Sequence, residues 1–180
     1  MELKETRVSR DIVFEGKIFT VAKDVSRLAD GREAPRELVL HVGGAGILPV
    51  DSEANVTLVR QYRCGAGECL TEICAGKLEI GEDPKECAVR ELKEELGITA
   101  KTVTDLGFLN PTPAYDSEKT YIFLATDITE GENNLDDGEF LEIVKMPLDE
   151  AVQKVMDGTF TDAKTQIALL KAERLLRGKD

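Results

Sequence analysis

Three glutamates crowd into one short segment, and their type and spacing could support metal-ion chemistry. Glu91, Glu94 and Glu95 fall within an arc of roughly 100° if the segment is helical, because successive helical residues turn by about 100°. Like charges at this spacing destabilise a helix by roughly 0.2–0.5 kcal/mol per pair. Mg²⁺ prefers oxygen ligands and shares them with substrate phosphates. The glutamates indicate a hard-cation site, although a solvated acidic helix face explains them equally well when they are considered alone.

The flanking residues favour the metal site over the solvated face. Glu82 adds a fourth carboxylate ahead of the helix, and Arg90 can orient a neighbouring carboxylate through a charge-assisted hydrogen bond. Gly76 follows Ala75 at a point where the backbone must approach closely, which a residue without a Cβ atom permits. Together, these residues predict that the segment binds a divalent cation.

The helix that carries the glutamates has clear start and stop signals. Asp83 can accept hydrogen bonds from the first free amides, Pro84 suits the first helical position, and Gly97 suits the end. The sequence therefore predicts a helix from Pro84 to Leu96. The apolar side chains on one side of it are expected to face the core: Val89, Leu92 and Leu96.

Strand patterns come early in the chain, helix patterns come late, and one helix lies in the middle. A strand pair is expected to turn at Glu15-Gly16, with Phe19 at an alternating strand position. Further strands are expected over 37–42, 45–50, 56–62, 103–109, 121–126 and 142–146, and further helices over 148–156 and 163–176. This order favours an α+β fold in which helices enclose a mixed sheet.

Charge and cysteine content restrict the partners. The net charge of −12 argues against a nucleic-acid partner, since phosphate backbones require clustered Lys and Arg. The first residues are charged and no long apolar run follows, so we expect no membrane partner and a cytoplasmic location. The four cysteines form no CxxC pair and the only histidine is His41, so reduced thiols are expected rather than a zinc site.

The segment 76–98 resembles the Nudix box at every fixed position. The matching residues are Gly76, Glu82, Arg90, Glu91, Leu92, Glu94, Glu95, Gly97 and Ile98. The resemblance implies an α/β/α sandwich with a mixed sheet, in which the box forms a metal-binding loop-helix-loop. It also implies hydrolysis of a nucleoside diphosphate linked to another moiety. The implied ligands of Mg²⁺, or of Mn²⁺ as a substitute, are Glu91 and Glu95 with Glu94 and the carbonyl of Ala75, while Arg90 has an orienting role.

Outside the box, the chain is similar to the ADP-ribose pyrophosphatase branch. The similar segments include Val59-Arg60-Gln61-Tyr62-Arg63, Glu72-Ile73-Cys74-Ala75-Gly76 and Thr161-Asp162-Ala163-Lys164-Thr165. The likeness implies that ADP-ribose is cleaved to AMP and ribose 5-phosphate. It further implies a homodimer in which residues 1–42, an N-terminal antiparallel β subdomain, are exchanged between protomers, with a Nudix domain over 43–180.

Six residues are candidates for binding substrate by the same likeness: Arg36, Glu37, Arg63, Glu72, Phe19 and Glu118. Arg36 and Glu37, on the exchanged subdomain, would hold the nucleoside across the dimer, and Arg63 would clamp a phosphate. Phe19 would stack on adenine, although its alternating position also suits a core residue. Glu72 suits either a substrate contact or a charge at a sheet edge. The loop at Thr112-Pro113-Ala114 departs from the Ser-Pro-Gly of the branch, which leaves the substrate preference open.

The base that activates water is expected downstream of the box. In the branch it is a loop glutamate, and Glu139 falls at the matching place, with Glu142 as a second candidate. A solvated loop charge explains Glu139 equally well on sequence alone. Two other functions remain open: a Nudix hydrolase for a nucleotide sugar, a dinucleoside polyphosphate or NADH, and a non-catalytic nucleotide-sugar-binding module.

Overall fold

A computed structural model describes residues 3–135, 138 and 140–178, within which the chain forms ten strands and three helices. The strands are β1 (Thr6–Glu15), β2 (Thr20–Arg27), β3 (Glu33–Leu40), β4 (Gly44–Pro49), β5 (Asn55–Arg63), β6 (Glu68–Glu72), β7 (Cys74–Lys77), β8 (Thr99–Leu109), β9 (Thr120–Thr129) and β10 (Glu142–Pro147). The helices are α1 (Pro84–Leu96), α2 (Leu148–Met156) and α3 (Ala163–Arg177). The chain divides into two compact units, Met1–Gly43 with Asn110–Lys119, and Gly44–Leu109 with Thr120–Asp180.

The first unit is an antiparallel sheet in the order β1-β2-β3. Its most buried polar group is Asp24 on β2, which accepts two hydrogen bonds of 2.7 Å from Arg10 on β1. Phe19 lies in the turn before β2, where it is 42% exposed and packs against Phe14. The expectation that Phe19 occupies a strand or core position is therefore wrong, because the turn extends as far as this residue.

The segment Asn110–Lys119 extends the edge of the first unit at β3. The amide of Val39 donates to the carbonyl of Tyr115 at 2.8 Å, and the amide of Ser117 donates back to Val39 at 3.0 Å. The amide of His41 donates to Oγ of Ser117 at 2.9 Å, and Nδ1 of His41 accepts from the amide of Gly43. These bonds give His41 a structural role in the turn after β3.

The second unit is an α/β/α sandwich. Its four-stranded sheet has the order β7-β4-β9-β8, with β4 and β9 parallel and the other neighbours antiparallel, and β10-β5-β6 form an antiparallel sheet. Alternate side chains of β4 enter different cores. Ala45 and Ile47 pack in the core that contains α1, whereas Leu48 packs in the core that contains α2 and α3. The predicted α+β fold with a mixed sheet between helices is confirmed.

Helix α1 has the predicted bounds. Asp83 accepts from the amides of Lys85 and Glu86 at 2.9 and 3.2 Å, which satisfies two amides of the first turn. Gly97 ends the helix at φ 67°, and a Cβ atom there would lie 2.5 Å from the carbonyl oxygen of Gly131. Only glycine meets both requirements without strain.

The buried face of α1 differs from the prediction at Val89. This side chain is 40% exposed, whereas Leu92 and Leu96 are buried as expected. Cys87 and Ala88 take the central place against the sheet, and both are fully buried. At about 100° per residue, the buried residues of α1 share one arc, and Val89 falls at the edge of that arc. Among the described residues, no helix is long and apolar enough to span a membrane.

Candidate active site

Arg90 holds three carboxylates of the box. Its Nη1 donates to Glu91 Oε1 at 2.7 Å and to Glu94 Oε2 at 2.9 Å, and its Nε donates to Glu82 Oε1 at 3.1 Å. The hydrogen bond to Glu82 and the negative charges around it raise the pKa of Arg90 above its ordinary value. The same hydrogen bond lowers the pKa of Glu82. One guanidinium therefore offsets the repulsion that would otherwise separate these carboxylates.

The three glutamates of α1 differ in exposure. Glu94 is 40% exposed, Glu91 is 14% exposed, and Glu95 is only 5% exposed. Glu95 lies beside the buried thiol of Cys74 on β7. Burial raises the pKa of Cys74 well above its ordinary value, and the charge of Glu95 and a hydrogen bond to Glu95 raise it further. The thiol consequently stays protonated beside the carboxylate.

Gly76 brings the backbone of β7 against the Glu91 carboxylate. A Cβ atom at Gly76 would lie 1.8 Å from Glu91 Oε1 and 2.0 Å from its carboxyl carbon. The backbone carbonyls of Gly76 and Lys77 also lie within hydrogen-bonding reach of the Cys87 thiol, at 3.9 and 3.7 Å. The glycine thus leaves the space that Glu91 fills, and the carbonyl of Ala75 precedes it in the same strand.

The donor atoms at this site suit a hard divalent cation. They are carboxylate oxygens and backbone carbonyls, which Mg²⁺ and Mn²⁺ favour over sulfur ligands. Within the described part of the chain, no three His, Cys, Asp or Glu side chains already converge as metal ligands. Arg90 pairs with Glu82, Glu91 and Glu94 here. The residues fit such a cation by the chemistry of their oxygen donors.

Arg63 and Glu72 form a bidentate ion pair across β5 and β6. Nε and Nη2 of Arg63 donate to the two oxygens of Glu72 at 2.8 and 2.9 Å. Burial alone would raise the pKa of Glu72, but the bonds from Arg63 and Lys164 outweigh it and lower the pKa. Hydrogen bonds to Glu72 raise the pKa of Arg63, and the nearby charges of Asp162 and Glu95 add to the rise. The pair therefore lies within electrostatic reach of the box.

The sequence did not assign roles to Lys164 and Asp162. Lys164 donates to Glu72 and, at 2.9 Å, to Asp162 Oδ1. The only sequence signal was the likeness of 161–165 to a segment of the ADP-ribose pyrophosphatase branch. Glu72 itself is 1% exposed and engaged on both oxygens, so it is not a solvated edge charge.

The remaining candidates belong to the first unit or to the loop before β10. Arg36 donates to both oxygens of Glu5 at 2.6 and 3.0 Å, and its neighbour Glu37 is exposed. Glu118, which is half-buried, also belongs to the first unit. Glu139 lies outside the described residues. Glu142 begins β10, is exposed and pairs with Arg60 at 3.2 Å.

The mixed sheet between helices, with a glutamate-bearing loop-helix-loop against β7, defines a hydrolase domain of the Nudix type. A family model described as the NUDIX domain matches residues 40–167. The chain belongs to the Nudix family, whose members generally use a divalent metal.

Similar proteins cover nearly the whole chain. An ADP-ribose pyrophosphatase of Bacillus subtilis (strain 168) is 34% identical over 169 residues, which is 93% of this chain and 91% of the relative. A methanol dehydrogenase activator of Bacillus methanolicus is 32% identical over 180 residues, covering 98% and 97%. A crystal structure of an ADP compounds hydrolase matches with a TM-score of 0.85 and 27% identity, covering 99% and 98%. The resemblance to the ADP-ribose pyrophosphatase branch is confirmed.

The contact between Gly76 and Glu91 generates a prediction. Gly76→Ala should displace the Glu91 carboxylate and lower hydrolytic turnover by at least about tenfold, as changes that reorient metal ligands do. Gly65→Ala is the matched control, because a Cβ atom there meets nothing within 4 Å. Steady-state rates are to be compared with thermal unfolding of both variants. Equal turnover of the two folded variants would contradict the proposed place of Glu91.

Proposed function

We propose that the protein is a Mg²⁺-dependent hydrolase that cleaves ADP-ribose to AMP and ribose 5-phosphate. The observation that carries this proposal is the set of box carboxylates gathered around Arg90, with Glu91 against the backbone at Gly76. The choice of substrate rests on the relatives named for ADP-ribose and ADP compounds. A cation held at this site could bridge an acidic protein to a diphosphate.

In this proposal, Glu91 and Glu95 are the main metal ligands, assisted by Glu94 and the carbonyl of Ala75. Bound Mg²⁺ supplies electrostatic stabilisation of the diphosphate and of the charge that develops as the bond breaks. Because Arg90 pairs with Glu91 and Glu94, loading the site requires these carboxylates to be shared between arginine and metal. Arg90 keeps them oriented and has no reactive role.

Two other groups act on the substrate and on water. Arg63 binds a phosphate oxygen, which its 40% exposure and proximity to the box support. Glu139 accepts the proton of the attacking water. Glu142 is the second candidate for the base, and its carboxylate pairs with Arg60 at 3.2 Å.

The nucleoside half of the substrate is assigned to the first unit of the other protomer in the proposed homodimer. Arg36 and Glu37 hold the nucleoside, Phe19 stacks on adenine, and Glu118 contacts the substrate. Arg36 would exchange its bond to Glu5 for this contact. The exposure of Phe19, which lies outside the core, supports stacking.

Residues 1–42 are proposed to form a subdomain exchanged across a homodimer, with 43–180 as the Nudix domain. Exposed apolar side chains on and beside β1 support a second copy as their cover: Leu3, Val8, Ile12, Val13, Phe14 and Ile18. All four cysteines are free thiols, which supports a cytoplasmic location.

A second candidate is a Nudix hydrolase that acts on another nucleotide, because relatives of similar identity are named for GDP-mannose as well as for ADP-ribose. NADH, nucleotide sugars and dinucleoside polyphosphates are the substrates to compare.

A substrate panel with Mg²⁺ tests the proposed function. We expect ADP-ribose to have the highest kcat/KM, and AMP and ribose 5-phosphate to appear in equal amounts. Glu95→Gln tests the site, and it should lower kcat by at least ~10²-fold, because it removes a carboxylate that would hold the cation that stabilises the transition state. A higher kcat/KM for another compound would contradict ADP-ribose as the preferred substrate and would identify that compound instead. Near-normal kcat in Glu95→Gln would remove Glu95 from the metal site.

The base is tested by the pH dependence of kcat. A general base must be deprotonated, so the rate of the wild type should fall as the pH drops through the pKa of that base. We expect Glu139→Gln to abolish this acidic limb and to lower kcat by roughly 10²–10⁴-fold. The matched variant Glu142→Gln should keep both the limb and the rate. The reverse result would make Glu142 the base.

The homodimer is tested by sedimentation equilibrium. We expect a mass about twice that of the 19.8 kDa chain, because covering the exposed apolar surface of β1 favours association. Phe14→Ser should weaken the dimer by removing an exposed aromatic side chain of that surface. A stable monomer at micromolar concentration would refute the exchange of residues 1–42.

A further inference from the structure

We propose that Lys164, in the first turn of α3, is a positioning residue that keeps the charge and orientation of Arg63 available for the diphosphate through their shared carboxylate, Glu72. The inference rests on the proposed function, and it adds a residue that acts through another without touching the substrate. It is carried by the ion network around Glu72.

Glu72 lies between two cationic side chains and is almost completely buried from solvent. Its side chain is 1% exposed, and its two oxygens accept Nε and Nη2 of Arg63. Oε2 also accepts from Nζ of Lys164. The two-point contact fixes the plane of the guanidinium. The plane of Arg63 therefore follows the orientation of Glu72.

Lys164 is itself held by the start of α3. Its Nζ donates to Asp162 Oδ1 at 2.9 Å. The other oxygen of Asp162 accepts from the amide and the hydroxyl of Thr165, at 2.9 and 2.6 Å. Oγ1 of Thr165 accepts in turn from the amide of Ile73 at 2.8 Å. Ile73 follows Glu72 directly, so the helix start and the carboxylate are connected through the backbone as well as through Lys164.

The charges explain why two cations are needed. If Arg63 alone faced Glu72, its positive charge would be neutralised within the protein. With Lys164 on the same carboxylate, Arg63 keeps charge for an anion. Nη1 of Arg63 makes no hydrogen bond to any residue in the described ranges, and the Arg63 side chain is 40% exposed, whereas Lys164 is only 16% exposed. Lys164 is thus the buried partner and Arg63 is the one that can reach substrate.

Asp162 does not cancel this effect. It precedes α3 as its N-cap, where the partial positive charge of the helix end partly offsets a carboxylate. Loss of Lys164 would leave Glu72 and Asp162 to compete for Arg63. The guanidinium would then turn toward the protein and away from the phosphate.

The test is a double-mutant cycle on KM. Lys164→Met, Lys164→Gln and Lys164→Arg are compared in the wild type and in Arg63→Ala, with ADP-ribose, saturating Mg²⁺ and thermal unfolding as the check on folding. We expect Lys164→Met and Lys164→Gln to raise KM by about tenfold with little change in kcat, which is the size of effect expected from losing one charge-assisted hydrogen bond. Lys164→Arg should restore most of the affinity. In Arg63→Ala, removal of Lys164 should raise KM no further.

A purely structural role would give a different result. It would lower the unfolding temperature without a selective rise in KM, or it would raise KM by the same factor with and without Arg63. Either outcome would overturn the inference. Lys154→Met is the matched control, because it removes a helical lysine that pairs with Glu150 on α2 at 3.5 Å, and it should leave KM unchanged.

The inference and the proposed function fail separately. If the wild type cleaves ADP-ribose and folded Lys164→Met has a normal KM, only the inference is wrong. If the wild type does not cleave ADP-ribose, the proposed function is wrong. In that case, the affinity of each variant for pyrophosphate with Mg²⁺ is measured by calorimetry. Removal of Lys164 should weaken binding only when Arg63 is present. Additive losses of affinity from the two substitutions would contradict the inference.

Discussion

The repulsion among the carboxylates of α1 is the constraint on which the rest of the site depends. Carboxylates that lie close together and are partly shielded from solvent repel one another unless a cation is placed among them. Arg90 supplies that charge to Glu82, Glu91 and Glu94. Its own position follows from the bounds of α1, which Asp83 and Gly97 fix at the two ends.

Local signals made the centre of the site predictable. The box residues lie on one loop and one helix with clear caps, so sequence spacing translates directly into shared faces. The same reasoning failed at Val89, since helical periodicity gives a face but not the neighbour that packs there. Cys87 and Ala88 are fully buried against the sheet, whereas Val89 is 40% exposed. Strands β6 and β7 were also missed, because short strands with polar and glycine residues lack clear alternation.

Contacts between residues far apart in the chain could not be predicted from the sequence. Glu72 and Lys164 are 92 positions apart, and nothing local to either residue indicates the other. The predicted strand position of Phe19 was wrong for a different reason, because the turn before β2 is longer than the Glu15-Gly16 signal implied. A motif therefore defines the chemistry on one helix, whereas substrate contacts depend on tertiary packing that the sequence does not encode locally.

Two arginines of the second unit, Arg63 and Arg90, differ in the partners that surround their charge. Arg90 is surrounded by acceptors, and its guanidinium donates to Glu82, Glu91 and Glu94. Arg63 has one carboxylate, and that carboxylate also bonds Lys164. A guanidinium that orients carboxylates needs several acidic partners. A guanidinium that binds an anionic ligand needs a carboxylate partner whose charge another cation already neutralises. The burial of Glu72 strengthens this distinction, because an unpaired charge destabilises the protein more in its interior than at a solvated surface.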